Sequence, residues 1–402
     1  MIPAVPARTA GSLVSEGVRG FFLAQAAAST ESFPQILEKS QRWLPAVRAG
    51  AAGIIIDNSS EGPPYHPQQG AAWHRSFSEG DLPPGRFVFI TQDRRFARDY
   101  NAWCDQNGIG ERVAILNYDY HLKRFFAEFE ENGAQLFAKR LADFEQRRSV
   151  EKSFVALNNK LRPYRLALLT RLLRDGLWDD GFVSTGGMEQ VRFLARPGRA
   201  DPVARFLGMG LAEESKDFLP ELIAKGEVLF GEPPRLKNQR FDPSFLTADR
   251  ELDIYRRSWL SLVPETEMRD RPSLISEKPM KALSAFHPII VFGNPGALEL
   301  LREFGFKTFG AWIDETYDDI TDPEARFRHC YAEFCRFRIE AADTISNDRE
   351  LRDTLAFNAE HALIRMPELY RDGHDRRLCE QLLDVLERSA GSQTPVCEDL
   401  VR

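Results

Sequence analysis

The chain has 402 residues, 43% of them hydrophobic and 28% charged, and its 53 basic and 60 acidic residues give a formal net charge of −7. This composition is that of an ordinary globular protein, which excludes wholesale disorder, collagen-like repeats and a miniature fold held by disulfides. The net negative charge also provides no overall positive potential that would attract nucleic acid, so we expect no nucleic-acid partner.

Cysteine spacing and hydropathy indicate the compartment. The five cysteines form no CxxC pair, which favours reduced thiols in a cytoplasmic protein over a zinc site or a disulfide framework. The most apolar stretch near the start, residues 20–28, is too short to span a bilayer. We therefore predict a cytoplasmic protein with at most peripheral membrane contact.

The first third of the chain alternates strand-like and helix-like segments. Three β-branched or aromatic runs read as strands, and a helical stretch follows the second of them. Strands that alternate with helices predict a parallel α/β sheet. A charged, amphipathic segment over 121–150 then predicts a pair of helices leaving this first domain. The three strand runs are Ala51–Asp57, Arg86–Thr91 and Arg112–Asn117.

A second α/β region begins at Ser153. The strand 153–157 leads through a polar turn to a helix that opens at Pro163, where proline suits a first helical turn. Further on, we predict a strand within 252–263, a helix over 276–285, a strand over 288–292, a helix over 296–304 and mostly helix over 326–389. These segments predict three parts: residues 1–150, residues 151–340, and a helical extension over 341–402.

The helix that begins near Ser276 carries an unusual charge. Ser276 is a good N-cap and Glu277 suits the positive helix end, but Lys278 in the first turn opposes the helix dipole. A bound anion would reverse that effect, because the backbone N–H groups and the ammonium would face it together. The alternative is a solvated lysine that extends away from the helix.

A strand followed by a glycine-containing turn comes next. The strand 288–292 leads to Gly293, Asn294, Pro295 and Gly296, which open another helix. A strand, a tight turn and a helix are half of a nucleotide-binding α/β unit, and ligands bind such units at the carboxyl ends of the strands. Neither GxGxxG nor the P-loop pattern occurs, which argues against a dinucleotide domain and against a nucleotide-dependent phosphotransferase.

Three of these segments together resemble a known signature. Val263–Glu267, Ser276–Lys278 and Pro288–Gly293 are similar to the donor-side motif of GT-B nucleotide-sugar glycosyltransferases, including the α1,3-fucosyltransferases and related bacterial and viral proteins. The resemblance covers residues 252–328, with weaker support over 153–184. It implies an α/β fold of two Rossmann-like domains facing a cleft, with the C-terminal helices packing across them.

The resemblance also implies roles for the matched positions. Lys278 is expected to contact the donor diphosphate, Glu277 a ribose or sugar hydroxyl, and Glu265 to order the donor loop. Ser276, Gly293 and Asn294 complete the matched donor-binding residues. The first domain is then the acceptor side, and the second is the nucleotide-sugar domain.

The turn after strand 153–157 offers further cations. Lys160, Arg162 and Arg165 lie at a strand end and a helix start, where a planar guanidinium can hold two phosphate oxygens. The alternative is a surface basic cluster. No Asp-x-Asp pair occurs in the chain, which favours neutralisation of the diphosphate by cations and helix ends. We therefore predict an activity that needs no metal and no other cofactor.

The predicted function is the transfer of a sugar, of hexosyl or fucosyl type, from a nucleotide-sugar to a glycan or other hydroxyl acceptor. The alternative is a non-catalytic glycan-binding or nucleotide-binding protein on the same scaffold, because a fold does not fix an activity.

The catalytic base is predicted in the first domain. Residues 56–62 follow a buried-looking strand, which places polar side chains at the carboxyl edge of its sheet. Glu61 is the first candidate because it lies beyond the strand and beside a glycine, and Asp57 is the second. Asp57 could instead cap the turn. His66 and His74 are further candidates because their ordinary pKa suits proton transfer.

Overall fold

The computed structural model describes residues 21–25, 33–59, 64–158, 163–184, 220–222, 224, 249–265, 268 and 274–390. The chain divides into two compact units, of which the first contains residues 1–127 and 368–402 and the second contains residues 128–367. The division therefore falls between the two helices of the pair that was expected to end the first domain, and the predicted extension over 341–402 is split between the two units.

The sheet of the first unit has four parallel strands in the order β1-β2-β3-β4. Three of them confirm the predicted runs, whereas β1 was not predicted. Each strand lies beside its predecessor in the chain, so the described part of this sheet contains no reversal of strand order. The strands are β1 Phe21–Gln25, β2 Gly53–Asn58, β3 Phe87–Thr91 and β4 Ala114–Asn117.

The two faces of this sheet are covered differently. Ile54 and Phe89 belong to the face that packs against α1 to α4, whereas Ile90 on the other face packs against Leu378 and Leu382 of α14. Successive right-handed crossovers in one direction place their helices on one face, so the C-terminal helix covers the other. These helices are α1 Phe33–Lys39, α2 Leu44–Arg48, α3 Pro67–Gly80, α4 Phe96–Gln106, α5 Tyr120–Ala127 and α14 Asp375–Ala390.

The second unit contains another sheet of four parallel strands, in the order β6-β5-β7-β8. The strand predicted within 252–263 is confirmed: a helix ends at Arg256, and the strand runs from Ser258 to Pro264. The strands are β5 Lys152–Ala156, β6 Gly181–Val183, β7 Ser258–Pro264 and β8 Ile289–Phe292. The helices are α6 Gly133–Gln146, α7 Pro163–Arg174, α8 Asp249–Arg256, α9 Glu277–Ser284, α10 Ala297–Glu303, α11 Pro323–Asn347, α12 Arg349–Glu360 and α13 Met366–Leu369, the last of which crosses the division between the units.

The helical end of the chain confirms the prediction over 326–389, with three interruptions of the α-helices: one at Asp348 and π-helical turns over His361–Arg365 and Tyr370–His374. Asp348 ends α11 and caps α12, because its Oδ1 accepts the N–H of Leu351 at 3.0 Å. A π-helical turn over His361–Arg365 then follows α12. A Cβ on Gly133 of α6 would lie 1.8 Å from the Leu363 carbonyl oxygen of this turn, so glycine is required there. In the described ranges, no helix combines the length and the apolar composition needed to cross a membrane.

Candidate functional site at the carboxyl edge of the second sheet

The strand order of the second sheet reverses between β5 and β7. From β5 the chain first moves outward to β6, and then returns to the other side of β5 with β7 and β8. The connections that leave β5 and β7 therefore diverge at their carboxyl ends, Ala156 and Pro264. Open parallel sheets bind ligands at such a reversal. The first sheet has none among its described strands.

Glu265, Ser276 and Lys278 form one network at this reversal. Glu265 follows β7 directly, is 3% exposed, and accepts the N–H of Ser276 on Oε1 at 2.9 Å. Ser276 caps α9, since its Oγ accepts the N–H of Lys278 at 3.2 Å and a bond from the Lys278 ammonium at 3.0 Å. The structure thus brings together three residues that the sequence placed in the donor site.

Lys278 lies between two carboxylates. Its Nζ is 3.9 Å from Glu265 Oε2 and 3.9 Å from Glu277 Oε1, and its side chain is 25% exposed. The unfavourable interaction of this lysine with the helix dipole is therefore offset within the protein. The ammonium remains accessible to a ligand, but its position in the helix is explained without a bound phosphate.

The N-terminus of α9 offers a phosphate few donors. The N–H of Ser276 is taken by Glu265, that of Lys278 is taken by Ser276 Oγ, and Pro279 has no N–H. A ligand phosphate would therefore contact the Lys278 side chain rather than a cradle of N–H groups at this helix end. This differs from the sequence expectation, in which backbone and ammonium act together.

The glycine turn after β8 already holds an anion of the protein itself. The carboxylate of Asp318 accepts the N–H of Leu298 at 3.0 Å and that of Glu299 at 3.1 Å, and so caps α10. Burial raises the pKa of Asp318, and the N–H groups that it accepts oppose this rise. A Cβ on Gly293 would lie 3.2 Å from the Cβ of Glu265, so this glycine makes room for Glu265.

Two buried arginines hold the strand ends in place. Arg165 Nη2 donates to the carbonyl oxygens of Pro264 at 2.9 Å and Glu265 at 2.7 Å, so its guanidinium fixes the end of β7 instead of facing a phosphate as predicted. Arg326, which sequence reasoning did not single out, donates to the carbonyls of Gly293 at 2.9 Å and Met268 at 2.7 Å. Its position in α11 carries no sequence signal for this role. Arg162 lies outside the described residues.

Two asparagine oxygens at this edge lack partners in the part of the chain that the structure describes. Asn158, two residues beyond β5, and Asn294, two residues beyond β8, are 0% and 7% exposed, and the Oδ1 of each has no hydrogen-bond partner among the described residues. Buried polar atoms without partners are rare, and each costs about 1–3 kcal/mol. A ligand that carries hydroxyl or N–H groups would satisfy them. Asn294 was predicted here, and Asn158 adds to it.

The predicted base segment lies at the carboxyl edge of the first sheet. Asp57 is 4% exposed, its Oδ1 accepts the N–H of Ser59 at 3.0 Å, and its Oδ2 has no partner among the described residues. The two predicted histidines are engaged otherwise: His66 Nδ1 accepts the N–H of Gln68 and caps α3, and His74 Nε2 is hydrogen-bonded to Tyr100 Oη at 2.9 Å. Glu61 lies outside the described residues.

Asp93 is a carboxyl group that sequence reasoning missed. It follows β3 by two residues, is 1% exposed, and accepts the N–H of Arg95 at the start of α4 at 2.8 Å. Burial raises its pKa to about 6, against the lowering effect of the N–H groups that it accepts. A carboxyl group with this pKa is suited to general acid–base chemistry near neutral pH. The polar residues after the run 86–91 were the signal that could have identified it.

One described group has the composition of a metal site. Ligand atoms of Asp314, His329 and Glu333 all lie within 4.8 Å of one another. They already have protein partners, because His329 Nε2 lies 3.0 Å from Asp314 Oδ2 and Glu333 pairs with Arg336 at 2.8 Å. The expectation of a metal-independent, cofactor-independent activity stays a prediction.

Comparisons of the chain with protein-family models, with curated proteins and with solved structures found no match. The resemblance to the donor motif of nucleotide-sugar glycosyltransferases therefore stays a prediction.

Proposed function

We propose that the second unit binds a nucleotide-sugar at the carboxyl edge of its sheet and that the protein transfers the sugar to a hydroxyl acceptor, as a glycosyltransferase of GT-B type. The observation that carries the proposal is the set of buried polar groups at the carboxyl ends of β5, β7 and β8, beside the reversal of strand order, two of which lack partners among the described residues. Ligands of open parallel sheets bind at this point.

The chemistry of the edge suits the sugar and ribose parts of such a donor. The carboxylate of Glu277 and the Oδ1 atoms of Asn158 and Asn294 are hydrogen-bond acceptors, which hydroxyl groups satisfy by donating. A ligand made only of phosphate carries hydrogen-bond acceptors, which cannot satisfy these acceptor atoms of the protein. The balance of groups therefore favours a polyhydroxylated ligand over an inorganic anion.

The leaving diphosphate requires a cation. Lys278 is an accessible ammonium among the described residues of this edge, and Arg162 immediately precedes α7 in the sequence. Positive groups that face the leaving phosphate stabilise the charge that develops as the bond at the anomeric carbon breaks. Because Arg165 is engaged with the end of β7, the proposal assigns this role to Lys278 and Arg162.

The acceptor hydroxyl requires a base. Under this proposal the base is a carboxylate: Glu61 and Asp57 were predicted for the role, and Asp93 has a pKa of about 6 that suits it. Removal of the hydroxyl proton by a carboxylate then accompanies attack on the anomeric carbon, with the nucleoside diphosphate as leaving group.

A thermal-shift screen with GDP, UDP, CMP and dTDP tests the binding step, because a ligand that binds the folded state raises its stability by mass action. One nucleotide should stabilise the wild-type chain, and Lys278→Ala should weaken its binding by about 1.5–3 kcal/mol. Lys281→Ala, one turn further along α9, is the matched control and should bind normally.

Release of nucleoside diphosphate from the matching sugar donor then separates an enzyme from a binding protein. Turnover that continues in EDTA supports the proposal. Stabilisation by a nucleotide without any turnover favours the non-catalytic alternative, and the absence of stabilisation by every nucleotide contradicts the proposal.

A further inference from the structure

Three side chains of metal-ligating type meet beside α11, and the candidate site uses none of them. His329 and Glu333 lie four residues apart on α11, so they share one face of that helix. Asp314 comes from the loop before α11, where it caps the short 3₁₀ turn Glu315–Asp319. One ligand atom from each of the three lies within 4.8 Å of the other two. We call Asp314, His329 and Glu333 the acid–histidine triad.

The spacing within the triad fits one tetrahedral metal ion. His329 Nε2 lies 3.0 Å from Asp314 Oδ2. Two ligands bound to one Zn²⁺ at about 2.0–2.2 Å lie about 3.4 Å apart, which is close to this distance. Glu333 Oε2 accepts the N–H of Asp314 at 3.0 Å, so the third carboxylate is next to the same residue. Rotation about side-chain bonds of Glu333 is sufficient to complete the set.

The Asp314 carboxylate is already oriented for a ligand. Its Oδ1 accepts the hydroxyl of Thr316 at 2.7 Å and the N–H of Thr316 at 3.0 Å. These bonds hold Oδ1 within the turn and leave Oδ2 directed at His329. Outer partners that fix a ligating carboxylate in this way are a regular part of metal sites.

The charges around the triad favour a cation. Glu333 Oε2 pairs with Arg336 at 2.8 Å, and Glu340 pairs with the same guanidinium at 3.2 Å. The ion pair of Asp314 in the described part of the chain is with His329, which is charged only when protonated. Three carboxylates therefore share one permanent positive charge. Arg336 does not block a metal ion, because a carboxylate has about four lone-pair sites and can accept from an arginine while it binds a metal.

We propose that the acid–histidine triad binds one divalent transition metal ion, with Zn²⁺ as the best fit. An imidazole ligand suits Zn²⁺, whereas Mg²⁺ and Ca²⁺ prefer oxygen ligands throughout. The three side chains are partly exposed, so an ion reaches them from the solvent and water completes the coordination. The site shares no residue with the nucleotide-sugar site and does not depend on the proposed activity.

The bound ion would join the 3₁₀ turn to α11. Asp318 lies in this turn, and its carbonyl accepts the N–H of Gly296 at 2.9 Å while its carboxylate caps α10. An ion at the triad therefore stabilises the segment that holds the glycine turn after β8. Its role is structural, and it supplies no group to the transfer reaction.

Zinc titration of the metal-free, full-length chain, in competition with a chromophoric chelator, tests this site. One Zn²⁺ should bind per chain. His329→Gln and Glu333→Gln should each weaken binding about tenfold or more, because loss of even an outer partner costs about 10–100-fold in metal affinity. Mg²⁺ should not compete. Co²⁺ in place of Zn²⁺ should give no thiolate charge-transfer band, which distinguishes the triad from a site made by cysteines.

Glu324→Gln is the matched control, because Glu324 is also on α11 and also pairs with an arginine four residues away, Arg328. This variant should bind zinc normally. If His329→Gln fails to fold, Asp314→Asn replaces it, with the same expected loss of affinity. The proposal is overturned if zinc does not bind at millimolar concentrations, if the triad variants bind as well as the wild type, if Glu324→Gln loses as much affinity as they do, or if bound Co²⁺ shows a thiolate band.

Discussion

The carboxyl edges of the two sheets are built from the same local pattern, a parallel strand followed by a polar turn and a helix, but their strand orders differ. The first sheet runs β1-β2-β3-β4 in one direction, whereas the second reverses between β5 and β7. At the first edge, Asn117 Nδ2 donates to the Asp93 carbonyl and ties the neighbouring strand ends together. At the second, where the connections diverge, the Oδ1 atoms of two buried asparagines have no partners among the described residues, whereas the first edge has one such buried oxygen, Asp57 Oδ2. Under the proposed function, strand order rather than the local pattern distinguishes the edge that binds the ligand.

The largest expected effect concerns His287, which lies in the second unit and is fully buried. Its Nδ1 is hydrogen-bonded to Ser261 Oγ at 2.9 Å, and burial lowers its pKa from 6.5 to about 3. Below pH 6.5, His287 is protonated in the unfolded state, whereas in the folded state it stays neutral down to about pH 3. The free energy of unfolding should therefore fall by about 1.4 kcal/mol per pH unit towards pH 3.

Urea unfolding of the wild type and of His287→Asn at a series of pH values measures this effect. The variant should lose most of the pH dependence of the unfolding free energy that this one proton causes. His74 and His361, whose pKa values burial also lowers, leave a smaller residual slope. Equal slopes in the two proteins would show that His287 titrates normally in the folded state.

The second effect compares the groups that hold the two edges. Arg165→Met leaves the carbonyls of Pro264 and Glu265 without the guanidinium, which should cost about 2–5 kcal/mol of unfolding free energy. Asn117→Ala at the first edge should cost about 1 kcal/mol. Nucleotide affinity should fall in the Arg165 variant and stay normal in the Asn117 variant. Normal nucleotide affinity in a folded Arg165→Met protein would break the comparison.

The third effect has the opposite pH sign to the first. Burial raises the pKa of Asp93 from 3.8 to about 6, so between these values the folded state binds a proton that the unfolded state has lost. Stability from this group is therefore present below pH 3.8 and is lost as the pH rises to 6, by about 3 kcal/mol. Asp93→Asn should remove that loss in the same urea series, and a variant with an unchanged profile between these pH values would contradict the assignment.

The smallest effect concerns the carboxylate that caps α10. Asp318→Ala removes the acceptor of the Leu298 and Glu299 N–H groups and should cost about 1–2 kcal/mol of stability. Because Asp318 is an internal cap and not a ligand contact, nucleotide affinity should not change. A large loss of affinity in a folded variant would place Asp318 in the site itself.

The sequence was sufficient to predict the α/β class and most strands, because runs such as 86–91 and 288–292 are rich in β-branched and aromatic residues. It was insufficient for β1, whose five residues gain their partner from β2, and for the reversal of strand order, which depends on contacts between distant residues. The packing of α14 on the first sheet was also not predictable, because it too depends on contacts between distant residues.

Contacts within the site were predictable where they depend on spacing along one helix. They were not predictable where they depend on which distant residue packs against a side chain. Ser276 and Lys278 share a helix start, and their contact follows from that spacing. Arg165 and Gly293 were expected to serve a ligand, since a sequence shows a charge or a missing side chain but not the neighbour. Their neighbours are the end of β7 and Glu265. Arg326 was missed for the same reason.

Hydrogen–deuterium exchange of the full-length chain, with and without the nucleotide that stabilises it, tests the central claim most directly. The account predicts that the nucleotide slows exchange in segments 274–280 and 293–298 at the carboxyl edge of the second sheet. Exchange in segments 57–59 and 91–96 at the first edge should stay unchanged. Slower exchange at the first edge alone, or no change in either edge at saturating nucleotide, would contradict the account.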